Sequence, residues 1–250
     1  MENIQSYLHK LFTEVGEDET HGYEHALRVK EHTQIGLKEY VKNNILKEYE
    51  FRAVLYAALL HDADDHKIFK KSTDYENAKN ILYEIDFKLS NLVIDMIKYV
   101  SFSSNKFGNS ENHIPKWQLI PRDADRLEAI GEIGIARCIA YGYQYGRPLY
   151  TSETKRCYSV EEIKQYSKYS YNNKLDTKCS LDYFYNGLVP RGIMSSGIKY
   201  FKELAEQRLQ PIYKLLLIFG EKGYVDKQDV LNCVTKDQMA INLINKYMID

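Results

Sequence analysis

The 250 residues carry 34 Lys plus Arg against 35 Asp plus Glu, and the resulting net charge of -1 gives no electrostatic case for binding duplex nucleic acid or a membrane surface. A chain of this length can bury a full core and reads as a single domain over 1–250. Met1 opens into a polar amphipathic segment rather than an apolar signal region, and no stretch approaches the ~18 apolar residues of a membrane span, so a soluble, cytoplasmic protein is expected.

With only 5 Pro and 13 Gly, the chain favours helix throughout, and an all-α fold is expected. Residues 2–14 read as a short amphipathic helix, with Ile4, Leu8, Leu11 and Phe12 at helical spacing. A polar break at Gly16–Thr20 precedes a helix from about His21 to Lys42. His21 and His25 stack one turn apart at its start, a spacing that suits two ligands, a ligand beside an acid–base group, or a plain solvent-facing helix start. His32 lies near the same face and reads as a surface or capping residue.

The third helix, about 47–63, is the most informative. The apolar run Val54-Leu-Tyr-Ala-Ala-Leu-Leu60 ends abruptly in His61-Asp62, followed by Ala63-Asp-Asp-His-Lys67. An apolar helix that delivers an imidazole and a carboxylate at its polar end needs a partner for them, or else it simply runs out into a solvated acidic loop. A divalent metal is the simplest partner, because neutral imidazole nitrogen and carboxylate oxygen suit Mn, Fe, Zn or Mg.

Two further amphipathic helices follow at Asp74–Tyr83 and Leu89–Val100, then a Ser-, Asn- and Gly-rich loop over 102–116 in which His113 reads as exposed. Pro121 to Arg137 reads as one helix with an apolar stripe of Ile130, Ile133, Ile135, Cys138 and Ile139. Pro121-Arg122 precedes it, which makes Asp123 a candidate N-cap, while Asp125 points about 200° away round the axis. Residues 143–180 turn polar and Tyr-rich and read as a loop or lobe within the domain, helical around Val160–Lys168. Leu181–Leu188, Ile198–Phe219 and Lys227–Met248 close the chain as helices. Cys138, Cys157, Cys179 and Cys233 form no CxxC pair and suggest neither a disulfide framework nor a zinc knuckle. The 22 Tyr are unusual and have no functional account, and no phosphate-binding Gly-rich loop, GxSxG elbow or internal repeat is present.

Together His25, His61-Asp62 and Asp125 spell H…HD…D, each on a predicted helix. The pattern resembles the HD superfamily of metal-dependent phosphohydrolases. The stretches His21-Gly-Tyr-Glu-His25-Ala-Leu-Arg-Val29, Ala58-Leu-Leu-His-Asp62 with Asp65-His-Lys67, and Asp123-Ala-Asp-Arg-Leu-Glu-Ala-Ile-Gly131 resemble its small single-HD branch. The likeness continues into Asp182-Tyr-Phe-Tyr185 and Leu204-Ala-Glu-Gln-Arg208 and leaves out 143–178.

The resemblance implies an HD-domain helical bundle with a polar Tyr-rich insertion. One divalent ion (Mn, Fe, Ni, Zn or Mg) would be held by His25, His61, Asp62 and Asp125, and the substrate would be a small phosphorylated molecule, with a nucleotide as the leading class. By the same likeness, His21 stands where cyclic-nucleotide phosphodiesterases place the acid that protonates the leaving oxygen. Asp65 stands where hydrolases of guanosine tetraphosphate place the acid that positions water, and Lys67 is a candidate to neutralise phosphate. Arg126 and Glu128 read as packing or supporting residues. The chain also departs from the branch: Val100 stands where a His often precedes the Ser-Phe-Ser run, which disfavours a second metal, and Tyr183 and Gly187 replace a later His and Lys. Two alternatives stay open, a cyclic-nucleotide or second-messenger phosphodiesterase and a catalytically weakened nucleotide-binding sensor or sponge. Oligomeric state is not legible.

Overall fold

The computed structural model describes residues 2–16, 22–66, 68–100 and 113–248. Among these the regular structure is helical, with no strand, and the all-α expectation holds. The chain forms two compact units, one of residues 1–125 with 195–201, the other of residues 126–194 with 202–250.

The first unit is built round α3 (Glu48–Leu60), which packs against α1 (Glu2–Val15), α2 (Tyr23–Tyr40) and α5 (Ser90–Val100). Every residue of α3 from Ala53 to Leu60 is buried. A helix that is apolar all round belongs in the interior, and its alanines let neighbours approach closely. Ile4, Leu8 and Phe12 of α1 supply one buried stripe, as their spacing predicts. The start of α4 (Glu76–Asp86) falls two residues later than the sequence suggests, because Asp74 and Tyr75 adopt left-handed backbone angles of φ 52° and 60°.

The expected helix from Pro121 to Arg137 is in fact two, α6 (Ile120–Glu128) and α7 (Glu132–Gln144). They are separated at Gly131, whose φ of +94° no helix accommodates and few side chains tolerate. Asp123 is not an N-cap. It lies inside α6, fully buried, and its carboxylate accepts the backbone N–H groups of Ser195 (3.1 Å) and Ser196 (2.7 Å). The segment that follows leads into α11 (Lys199–Lys222), whose first N–H groups, at Lys199 and Tyr200, donate to the Glu39 carboxylate of α2 at 2.9 and 3.1 Å. His32, expected as a surface or capping residue, is half-buried and bonds the Tyr200 hydroxyl through Nδ1 at 2.6 Å. His113 is exposed, as expected.

In the second unit α7 packs on α13 (Gln238–Tyr247). The Tyr-rich stretch contains α8 (Val160–Asn172), longer than its apolar pattern suggests and capped by Ser159, whose hydroxyl accepts Glu162 N–H at 3.1 Å. It packs on a wide π-type turn at Phe184–Leu188 that links α9 (Ser180–Tyr183) to α10 (Val189–Arg191). The final helical stretch is likewise two helices, α12 (Lys227–Leu231) and α13, each opened by an aspartate cap, Asp226 and Asp237. All four cysteines are free and buried. No helix among the described residues is long and apolar enough to cross a membrane.

The Asp123 bonds set an expectation for its removal. A lost cap costs about 1 kcal/mol. Asp123→Ala instead strands two N–H donors beside a buried site, each worth roughly 1–3 kcal/mol, so a loss of about 2–6 kcal/mol is expected in urea unfolding. A loss below about 1 kcal/mol would contradict a clamping role for this carboxylate.

Candidate metal centre

Three elements of the first unit bring their side chains to one point. α2 opens at Tyr23 with Gly22 as its extended N-cap and sets His25 in its first turn, buried. α3 ends at Leu60, and His61 is its C-cap residue with Asp62 next in the turn. α6 contributes Asp125.

The geometry is tight. His25 Nε2 and His61 Nε2 are 3.2 Å apart. Asp62 Oδ2 lies 3.2 Å from His61 Nε2 and 3.7 Å from His25 Nε2. Asp125 Oδ1 lies 3.3 Å from His25 Nε2 and 3.6 Å from His61 Nε2. One ligand atom each from His25, His61 and Asp62 falls within 4.8 Å of the others.

These separations fit a metal polyhedron. Bonds of about 2.0–2.2 Å place neighbouring donors roughly 2.9–3.6 Å apart, depending on tetrahedral or octahedral angles. The donor chemistry fits as well. His61 Nδ1 lies 2.9 Å from the Ala58 carbonyl oxygen, which can only accept, so the proton of neutral His61 sits on Nδ1 and the Nε2 lone pair faces the cluster. That same bond satisfies a carbonyl at the C-terminal end of α3. The imidazoles are sealed, at 3% and 1% side-chain exposure, whereas Asp62 and Asp125 keep 18% and 25%. The cluster therefore opens to solvent on its carboxylate side, where water and a ligand can enter.

The electrostatics follow from the crowding. Burial opposes a charged His61, but the Asp62 and Asp125 carboxylates outweigh it and hold the imidazole well above its ordinary range. Burial likewise opposes ionised carboxyls, yet His61 and then His25 draw Asp62 below its usual value, and bonds to His25 and His61 do the same for Asp125. The metal-free cluster thus prefers a proton on His61 between two anions.

Of the other residues singled out, Asp65 stands in the turn after the His-Asp pair. Its carbonyl accepts the N–H groups of Ile68 (2.9 Å) and Phe69 (2.7 Å), and its carboxylate is 3.7 Å from His66 Nδ1. His21 and Lys67 lie outside the described residues. Val100 is buried at the end of α5. Arg126 donates to the Ile193 carbonyl at 3.0 Å, and Glu128 pairs with Arg208 at 2.9 Å, both within the second unit. The two later departures form one packed arrangement. A Cβ at Gly187 would meet the Tyr183 ring at 2.6 Å, and Arg191 lies over that ring at 5.5 Å while donating to the Gly187 carbonyl at 2.9 Å.

Asp64 is the residue that sequence reasoning passed over. Its carboxylate accepts backbone N–H groups of Asn77 and Ala78, both at 2.9 Å, together with the Ser72 hydroxyl. The available signal was an aspartate doubled beside Asp65, but its target lies in a helix that local patterning does not connect to it.

No protein-family model matches the chain. It is 34% identical over 221 residues to uncharacterized protein L803 of Acanthamoeba polyphaga mimivirus, covering 80% of this chain and 88% of that protein. Among solved structures it is similar to a structural-genomics protein from Lactobacillus plantarum (TM-score 0.59, 18% identity) and to an HD-superfamily hydrolase from Bacillus thuringiensis (0.58, 22%). It is also similar to the Lin1889 protein from Listeria innocua (0.54, 23%), and each of the three comparisons covers 89% of this chain and 95% of the other. The chain belongs to one family with mimivirus protein L803, and its fold is the HD-domain fold.

Proposed function

We propose that this protein is a metal-dependent phosphohydrolase acting on a small phosphorylated molecule, with a nucleotide as the leading substrate class. The observation that carries the reading is the convergence of the His25 and His61 Nε2 atoms with Asp62 and Asp125 oxygens at 3.2–3.7 Å. The likeness to an HD-superfamily hydrolase supports it.

In this reading His25, His61, Asp62 and Asp125 hold one divalent ion among Mn, Fe, Ni, Zn and Mg. When bound, such an ion acidifies water and polarises a phosphoryl oxygen, which supplies a nucleophile and an electrophile at neutral pH. His61 is committed to its Nε2 donor by the bond from Nδ1 to Ala58. Asp62 and Asp125, on the solvent side, set the number of positions left for substrate. Asp65 accepts a proton from the attacking water, His21 delivers one to the leaving oxygen, and Lys67 neutralises the transferred phosphate. No covalent protein intermediate is needed. Tyr183 and Gly187, in place of a His and a Lys, favour a second reading in which turnover is weakened and the protein binds a nucleotide as a sensor. A cyclic-nucleotide or second-messenger phosphodiesterase is a narrower form of the first reading.

The test is a screen of nucleotides, dinucleotides and sugar phosphates with each ion, read as phosphate released and as product mass. The first reading expects turnover that His61→Ala or Asp125→Ala lowers by about 10³-fold or more together with loss of the ion. Nucleotide binding without turnover in the ion-loaded protein would favour the sensor reading, and two tightly held ions would contradict a mononuclear centre.

A second expectation concerns protons. Metal uptake must displace the proton that His61 holds, so binding should release protons into a weakly buffered solution and weaken as pH falls through the raised His61 range. The sign for stability follows the same groups. Because the folded value of His61 is raised, its contribution is complete below about pH 6.5 and is lost as pH rises through the folded value. Because Asp62 and Asp125 are lowered, theirs is present above about pH 4 and is lost as pH falls through their folded values. The stabilisation conferred by Zn or Mn over chelator-treated protein should therefore grow between about pH 5 and 8 in thermal melts. A gain that shrinks with rising pH would place the ion elsewhere.

A further inference from the structure

We propose that Asp64 is a positioning residue for the metal centre, fastening the turn that presents His61 and Asp62 to the first turn of α4. The assignment rests on the reading of His25, His61, Asp62 and Asp125 as ion ligands and adds to it the residue that holds two of them in place.

The argument starts from a defect at the start of α4. Its N-cap position is Tyr75, a left-handed residue whose side chain makes no capping bond. The first N–H groups of any helix need acceptors, and a capping side chain usually serves the second and third helical residues. Here those are Asn77 and Ala78, and both donate to Asp64, one to each oxygen, at 2.9 Å. A carboxylate at a helix N-terminus is further favoured by the helix dipole. Asp64 thus caps a helix that begins 12 residues beyond it. The Ser72 hydroxyl donates to the same carboxylate, and Asn77 returns a bond from Nδ2 to the carbonyl of Ala63 at 2.8 Å.

These bonds bear on the ligands through a short, stiff connection. Ala63 is fully buried, and its N–H donates to Leu60 O at 3.1 Å, closing a turn around His61 and Asp62. Asp65 N–H donates to Asp62 O, also at 3.1 Å. Asp62 is therefore separated by one residue from a carboxylate with three donors and by none from a carbonyl bonded to α4. The His61 ring is fixed through Ala58, and the Asp62 backbone is fixed from the α4 side. A ligand set held within a few tenths of an ångström needs such outer partners, whose loss typically weakens metal affinity 10–100-fold.

The experiment is calorimetric titration of Mn²⁺ and Zn²⁺ into chelator-stripped full chain, with thermal midpoints of the stripped proteins measured alongside. Asp64→Asn keeps the shape but turns an amide NH₂ toward a backbone donor, and it should raise Kd by about 10–100-fold. Asn77→Ala removes the tie to Ala63 O and should raise Kd by a smaller factor; it carries the test if Asp64→Asn does not fold. Glu132→Gln is the control, because this carboxylate also accepts two N–H groups beside a helix start, at Lys236 (2.7 Å) and Asp237 (2.8 Å), and belongs to the second unit. It should lower the midpoint and leave Kd unchanged. If Asp64→Asn and Asn77→Ala behave like Glu132→Gln, with lower midpoints and wild-type Kd, Asp64 is a helix cap only and the proposal is overturned while the metal centre stands. If the wild-type chain binds neither ion, the metal centre itself fails and the positioning role falls with it.

Discussion

Two imidazole nitrogens held 3.2 Å apart, with carboxylate oxygens at 3.2–3.7 Å, crowd four polar groups round one point. Neutral His61 carries its proton on the far side of the ring, toward Ala58, so its near nitrogen offers only a lone pair. Two anions and a lone pair in a largely sealed site call for positive charge at their centre, since unpaired buried charge is among the most costly features a fold can carry. A proton on His61 meets that demand in part, which is why its imidazole is held well above its ordinary range. A divalent ion meets it more fully.

The helices are arranged to make the demand unavoidable. α3 is buried from Ala53 to Leu60, so it has no freedom to rotate His61 and Asp62 toward bulk water. Close packing of such an interior transmits small displacements rather than absorbing them. His25 is fixed in the first turn of α2, which packs directly on α3. The carboxylates are the partly exposed members, so exchange with solvent occurs on their side.

Much of this was legible in the sequence. The helical periodicity of α1 and α5 is strong because each buries an apolar stripe, α3 reads as a continuous apolar run, and the His-Asp pair at the end of that run announces a polar site at a helix terminus. The misreadings share a cause. Gly131 lies between two apolar stretches that keep the same period, so periodicity ran through a break set by one backbone angle. Asp123 looked like a cap because its acceptors' true donors, Ser195 and Ser196, lie more than 70 residues away. Asp64 escapes notice, and His32 reads as a surface or capping residue, for the same reason. Local patterns report what a residue does to its own helix and are silent on bonds to distant backbone.

Those distant bonds tie together helices whose clustered side chains, His25 and Asp125, lie 100 residues apart in sequence. Asp125 and Asp123 share α6. Asp123 clamps the N–H groups of Ser195 and Ser196, and Lys116 donates to the Ser195 carbonyl at 3.1 Å. A few residues on, Lys199 and Tyr200 donate to Glu39 of α2, and the Tyr200 hydroxyl meets His32, two turns from His25 on the same helix. Phe201 seals the passage, its ring so close to Gly36 that a Cβ there would lie 2.5 Å from it. The short stretch 195–201 thus joins the helix that carries Asp125 to the helix that carries His25, using carboxylates aimed at backbone donors rather than at side chains. Backbone N–H groups have no rotamers to lose, so each such bond fixes position at a lower entropic cost than a side-chain pair would. The stretch returns from late in the chain to complete the first unit, and the H…HD…D pattern becomes a single site because residues that belong to no motif hold its helices together.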